Sequence, residues 1–177
     1  MRKLILLVLV VAGVAALPTL LDLRGVRGDV MGALGLGEVT RTKATVLKVR
    51  DGDTIRVKIT KTGVEQEVRI LGIDTPEVRD DAECGGDIAT TAMQALTPIG
   101  STVTLVSDPS QGDRDRYDRL LRYVTRSGDD VGLAQLRAGL AKIFVFEDDP
   151  FDRVVAYERA ERRAKKADRG SWASCWR

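Results

Sequence analysis

Histidine does not occur anywhere in the 177 residues. Its absence excludes Ser-His-Asp hydrolysis, histidine-based ribonuclease chemistry and histidine-ligated zinc. Cysteine occurs only as Cys84 and Cys175, so a four-cysteine zinc site is excluded as well. Acid-base chemistry must therefore run on carboxylates, and the metals left as candidates are hard cations bound through oxygen. Aromatic residues make up only 5% of the chain, and net charge is small. The formal +2 is supplied by Arg2 and Lys3, which leaves the rest of the chain neutral. Bulk charge therefore cannot hold an anionic ligand; local patches must do so.

The length suits one domain of about 130 residues with a real core, preceded by a separate segment. Arg2 and Lys3 stand before an uncharged apolar run, Leu4 to Leu17, followed by Pro18. That run has the length of a secretory core and falls short of a membrane span of roughly 20 residues. Val14-Ala15-Ala16 offers a cleavage site, but the uncharged stretch continues to Leu21. Residues 1–21 thus read as a signal peptide or as an uncleaved membrane anchor. In either case the basic end stays inside and the domain lies outside the cytoplasm, extracellular or anchored at the cell surface. Residues 22–43 carry Gly25, Gly28, Gly32, Gly35 and Gly37 with no sustained period, which reads as a flexible linker. In an exported chain, Cys84 and Cys175 read as one disulfide; two unpaired buried thiols are the alternative. Pairing would tie the last helix to the rest of the domain and contribute about 2 to 5 kcal/mol.

From residue 44 to 177 the pattern is that of a folded domain. Three segments, 44–49, 54–59 and 65–71, alternate Val, Ile and Thr with polar residues and predict consecutive antiparallel strands. A helical period follows between Glu83 and Leu96, with Ile88, Ala92, Met93 and Leu96 on its apolar face. Strands are expected over 102–106 and 120–125, a helix over 131–138 stopped by Gly139, and an extended segment over 141–146. Asp149-Pro150 opens a last helix that runs to about Ala167, with Phe151, Val154 and Val155 as its apolar face. Five short strands with a helix after the third and helices at the end predict an α+β, mainly β fold: a five-stranded OB-type barrel with three helices.

Two acidic turns organise the chemistry. Asp51-Gly52-Asp53 joins the first two strands, so it reads as a hairpin turn that aims a carboxylate into the open face of the sheet. Asp74-Thr75-Pro76-Glu77 follows one strand later, and Arg69 projects from that strand. Each piece alone has an ordinary reading, as a hairpin turn or as a helix start with proline at its first position. Together they bring like charges close, which a cation or bound partner must compensate. A further stretch, Asp115-Arg116-Tyr117-Asp118-Arg119-Leu120, puts an arginine at the mouth of a strand, where its fork suits an anionic oxygen. The competing reading is a solvated hairpin in which Arg114, Arg116, Arg119 and Arg122 interleave with Asp113, Asp115 and Asp118.

These motifs carry a resemblance. Asp51-Gly52-Asp53-Thr54, the run from Arg69 to Glu77, the run from Asp115 to Leu120, and Gly139-Leu140-Ala141-Lys142 resemble, in order and spacing, the thermonuclease family of staphylococcal-nuclease-like domains. The resemblance covers residues 43 to 175 and implies an OB-type barrel with three helices. It also implies a Ca²⁺-dependent nuclease that cuts DNA and RNA on the 5′ side of the phosphodiester and leaves 3′-phosphate ends. Asp53 and Asp74 would be carboxylate ligands of Ca²⁺, with the backbone carbonyl of Thr75 as another. Glu77 would be the general base, Arg69 and Arg119 would hold the scissile phosphate, and Tyr117 would contact the nucleotide. Asp51 is expected to shape the turn without binding the ion. The chain departs from the family pattern in two places. Asp118 stands where glycine is usual, placing a negative charge beside Arg119. Ile143-Phe144-Val145-Phe146 offers phenylalanines where tyrosines are usual, which keeps a stacking surface but loses a hydroxyl contact. A monomer acting on DNA and RNA is the expected form, with membrane anchoring through the N-terminal segment where the leader is retained. A non-catalytic OB-fold nucleic-acid-binding module is the alternative. The basic stretch Arg159, Arg162, Arg163, Lys165 and Lys166 reads as a solvated helix face.

Overall fold

A computed structural model describes residues 37–78 and 82–176. The expected leader or anchor, and most of the expected linker, lie outside the described residues. Strand β1 (Arg41–Val49) pairs antiparallel with β2 (Thr54–Ile59), and β2 pairs antiparallel with β3 (Glu65–Ile70). Alternation buries Ala44 and Val46, Ile55 and Val57, and Val68 and Ile70 completely. A register shift between Val46 and Lys48 lets Val49 also face inward, three positions on. The first strand starts at Arg41, earlier than its apolar alternation suggests, because its ladder with β5 (Thr102–Val106) extends to Arg41 opposite Val106.

Strand β6 (Leu120–Arg126) pairs antiparallel with β5 and parallel with β3, placing Val68, Arg69 and Ile70 opposite Leu120, Leu121 and Arg122. This parallel seam closes β1, β2, β3, β6 and β5 into the expected five-stranded OB-type barrel. A small second ladder joins β4 (Ile73–Asp74) to β8 (Lys142–Ile143), and β7 (Asp129–Asp130) extends β6.

Helix α1 (Gly86–Leu96) follows β4, α2 (Val131–Ala138) follows β7, and α3 (Val154–Lys166) follows a short 3₁₀ turn at Phe146–Asp148. One further turn, α4 (Ser171–Ser174), lies near the C-terminus. Asp130 caps α2 by accepting from the Leu133 amide at 3.0 Å. Two helix faces differ from expectation. On α1 the buried residues are Gly86, Ala89 and Met93, whereas Ile88 is 56% exposed. Met93 is buried and Leu96 packs on the core as expected, while the first turn uses a small residue because it meets backbone: a Cβ on Gly86 would lie 2.3 Å from the Glu77 carbonyl oxygen. Helix α3 begins at Val154, not at Asp149-Pro150, and buries Tyr157, Ala160 and Ala164 while Val155 is 60% exposed. Phe151 is buried as expected, but from the segment before the helix. The expected extended segment over 141–146 is paired only at Lys142–Ile143.

Candidate active site

The turn between β1 and β2 is closed by local bonds. The Asp53 amide donates to Asp51 Oδ1 at 3.1 Å, and the Arg50 amide donates to the Thr54 carbonyl at 2.9 Å. Gly52 is needed here because a Cβ would lie 2.7 Å from Thr75 Oγ1 and 2.8 Å from the Ala89 Cβ. Gln135, fully buried on α2, donates from Nε2 to the carbonyls of Gly52 and Ala89, both at 2.9 Å. The turn is thereby fastened to α1. It turns Asp53 inward, 6% exposed. Asp53 Oδ1 accepts from Thr54 Oγ1 at 3.0 Å and meets Arg69 Nε at 3.2 Å; Oδ2 accepts from the Thr75 amide at 3.0 Å and from Thr75 Oγ1 at 3.2 Å. Four partners use all the acceptor positions of the carboxylate.

Arg69 reaches this carboxylate because β3 sets it opposite Thr54. Its Nη2 donates to Asp74 Oδ1 at 3.0 Å, and Nη1 donates to the carbonyls of Ile70 (2.8 Å) and Ile73 (2.6 Å). The guanidinium therefore stands between Asp53 and Asp74. Arg119 approaches from the mouth of β6. Asp115 Oδ2 accepts from its Nε and pairs with its Nη2, both at 2.7 Å, while Nη1 reaches Thr54 Oγ1 at 3.5 Å. Thr54 thus links the Arg119 guanidinium to Asp53. Tyr117 is 64% exposed, with Arg116 and Arg119 over its ring at 4.7 and 5.3 Å. Glu77 is exposed, in the segment after β4. Its backbone is held by Glu83: the Glu77 amide donates to Glu83 Oε2 at 3.1 Å, and the Glu83 amide donates to the Glu77 carbonyl at 2.9 Å.

The mixed-charge hairpin is formed: Arg114 pairs with Asp118 at 3.4 Å, Arg119 with Asp115 at 2.7 Å and Arg122 with Asp113, while Arg119 also reaches Thr54 at the acidic turn. Asp118 adopts a left-handed φ of 64°, a conformation that suits glycine, and its side chain is 87% exposed toward Arg114. The acid that pairs with the Arg119 guanidinium is Asp115. Phe144 and Phe146 are exposed, with ring centroids 6.4 Å apart. The Cys84–Cys175 disulfide is formed and borders a cleft of about 400 Å³ that Asp74, Thr75, Glu83 and Lys142 also line.

The acids feel one another. Burial, then the Asp53 charge and more weakly Glu77, push the Asp51 carboxyl up to about 6. Loss of surrounding water, with Asp53 and Asp74 adding, raises Glu77, and Asp74 is raised by the same desolvation despite Arg69. Such mutual strain is what a cation relieves, and the donors at hand are all oxygens. The set fits a hard divalent ion in chemistry. Among the described residues, no three acidic, histidine or cysteine side chains are already gathered into a closed cage. Arg69, between Asp53 and Asp74, separates the two acids.

The sequence profile described as Staphylococcal nuclease homologue matches residues 67–174, from mid β3 through the last helical turn. The chain belongs to this family. Among its relatives, the SPbeta prophage-derived endonuclease YokF of Bacillus subtilis (strain 168) is 31% identical over 130 residues, which is 73% of this chain and 43% of that protein. Endonuclease YncB of the same strain is 32% identical over 127 residues, covering 71% of this chain and 58% of its own. The Thermonuclease of Staphylococcus hyicus is 28% identical over 144 residues, with 79% and 81% covered. The chain thus spans about half the length of the two Bacillus relatives. Within this family member, sequence reasoning missed Gln135 and Glu83. Gln135 had a signal: a glutamine four positions after Val131, on the face of α2 that goes inward. Glu83 had none, since its bonds to Glu77 depend on how the chain returns.

Proposed function

We propose that this chain is an exported Ca²⁺-dependent nuclease that hydrolyses phosphodiester bonds of DNA and RNA, leaving 3′-phosphate ends. The observation that carries the reading is the contact set around Asp53: one buried carboxylate joined to Arg69, to Thr75 and, through Thr54, to Arg119. Paired guanidiniums beside an acidic, all-oxygen donor set suit an anionic ester that must be neutralised before water can attack it. The names of the relatives, two endonucleases and a thermonuclease, support the same chemistry.

In this reading Asp53, Asp74 and the Thr75 carbonyl hold the ion, which when bound supplies charge neutralisation at a phosphoryl oxygen. Asp53 gives up one of its present partners to do so. Arg69 and Arg119 bind the non-bridging phosphate oxygens. Arg69 turns Nη2 from Asp74 to the phosphate; Arg119 turns Nη1 from Thr54, while Asp115 keeps its other two nitrogens aligned. Their hold tightens as negative charge grows in the transition state. Glu77 takes the proton of the attacking water as general base. Tyr117 contacts the nucleotide, and the Phe144 and Phe146 rings offer faces on which bases stack. Export is supported by the disulfide, a bond that persists outside the reducing cytosol. N-terminal sequencing of the exported protein separates a cleaved leader from a retained anchor.

Incubating the purified chain with DNA and RNA in Ca²⁺, then with chelator, tests the reading. Cleavage that stops on chelation is expected. Glu77→Gln is expected to keep substrate affinity while kcat falls by about 10² to 10⁴. Polynucleotides left intact in ample Ca²⁺ would leave only a non-catalytic OB-fold binding module.

A further inference from the structure

Glu77 is exposed, so the aim of its carboxylate depends on its backbone. That backbone is gripped at both polar groups by one residue, Glu83, whose amide and Oε2 bond the Glu77 carbonyl and amide. Glu83 immediately precedes Cys84, and Cys84 is bonded to Cys175 near the C-terminus. Beyond Cys84, α1 begins at Gly86, abutting the same Glu77 carbonyl closely enough that a Cβ would not fit. Gln135 then fastens α1 to the turn that carries Asp53. The proposed base and the proposed ion ligand are therefore tied through one chain of contacts, and the disulfide anchors its Glu83 end.

We propose that Glu83 is a positioning residue for Glu77 and that the Cys84–Cys175 disulfide holds Glu83 in that role, so that turnover depends on the oxidised bond. The inference rests on Glu77 being the general base. A dithiol reductant delivers two electrons and two protons to the bond between the sulfurs, leaving two thiols as the reductant closes to its own disulfide. Glu83 then keeps its place only through hydrogen bonds, those it makes with Glu77 and the one its carbonyl accepts from the Gly86 amide at 3.1 Å, without the covalent tie to the C-terminal segment. Misplacing a reacting group by about 1 Å costs about 10²-fold in rate. A disulfide that only stabilises the fold would lower the melting temperature without slowing turnover in protein that remains folded.

The test compares kcat and KM at saturating Ca²⁺, at a temperature where circular dichroism reports folded protein. The samples are the oxidised chain, the dithiothreitol-reduced chain, Glu83→Ala, Glu83→Gln and the double variant Cys84→Ser/Cys175→Ser. Glu83→Ala, the reduced chain and the double variant are expected to lose about 10- to 100-fold in kcat with KM little changed. Glu83→Gln keeps an acceptor for the Glu77 amide and is expected to retain kcat within about threefold. Reoxidation is expected to restore the reduced chain. Undiminished kcat in folded Glu83→Ala or in folded reduced protein overturns the inference, as does Glu83→Gln proving as slow as Glu83→Ala. Should Glu83→Ala fail to fold, the reduced chain and the glutamine variant decide the matter. An oxidised chain that cuts nothing removes the nuclease reading itself; an oxidised chain that cuts no faster than the variants removes only this positioning role.

Discussion

Arg119 illustrates how much a single side chain's shape carries. Two of its nitrogens are committed to Asp115 and one to Thr54, so only a planar fork can serve both at once. Arg119→Lys keeps the charge and loses the fork, and kcat is expected to fall about 10²-fold with the melting temperature little changed. Asp118, its neighbour, is a different case. Its left-handed φ costs about 1 to 2 kcal/mol for a residue with a Cβ, while glycine brings back roughly 0.5 to 1 kcal/mol of extra chain entropy. Its exposed pair with Arg114 contributes no more than about 1 kcal/mol. Asp118→Gly is therefore expected to leave stability within about 1 kcal/mol and kcat unchanged. A marked rise in kcat would show instead that the Asp118 charge does act on Arg119.

Between elements, a buried carboxylate joins the end of β5 and the tyrosine of β6 to the segment before α3. Asp108 accepts from Tyr123, from the amide and hydroxyl of Ser110, and from the Asp152 amide at 2.8 Å. Burial alone would raise this carboxyl, but the hydrogen bonds outweigh it and hold it below the ordinary range. A folded-state value below the unfolded one means that the contribution is full above the unfolded carboxylate's value of about 3.9 and is lost as pH falls through the folded one. Urea unfolding at descending pH should therefore show a loss of stability below about pH 4 that is smaller in Tyr123→Phe. The same scale shows what was readable beforehand. Strands were legible because period-two alternation of Val, Ile and Thr survives any packing arrangement. The acidic turns were legible because hairpin residues and carboxylates coincide at Asp51, Gly52 and Asp53. The faces of α1 and α3 were legible in part: Met93, Leu96 and Val154 pack on the core as expected, but Gly86, Ala89, Ala160 and Ala164 make further contacts, and hydropathy weights them below the exposed Ile88 and Val155. The reach of Arg119 to Thr54 and the clamp of Glu83 on Glu77 depend on close geometry that spacing does not encode.

For the whole molecule, the proposed ion site would make stability a readout of ion binding. An ion that binds the folded chain and not the unfolded one stabilises by about 2.7 kcal/mol at 100 times its dissociation constant. Calcium is expected to raise the melting temperature in a concentration-dependent way, and chelator to reverse it. In Asp53→Asn the shift should be largely lost; scanning calorimetry of both proteins with and without calcium measures it.

The seam between β3 and β6 has one more consequence. Arg69 lies on one side of that parallel ladder and Arg119 at the start of the other, far apart along the chain and brought together only when the last gap of the cylinder shuts. Contacts of such long sequence separation form late. In the proposed nuclease the two guanidiniums therefore converge only in chains whose sixth strand has been made and paired, and a fragment ending before Leu120 is expected to cut nothing.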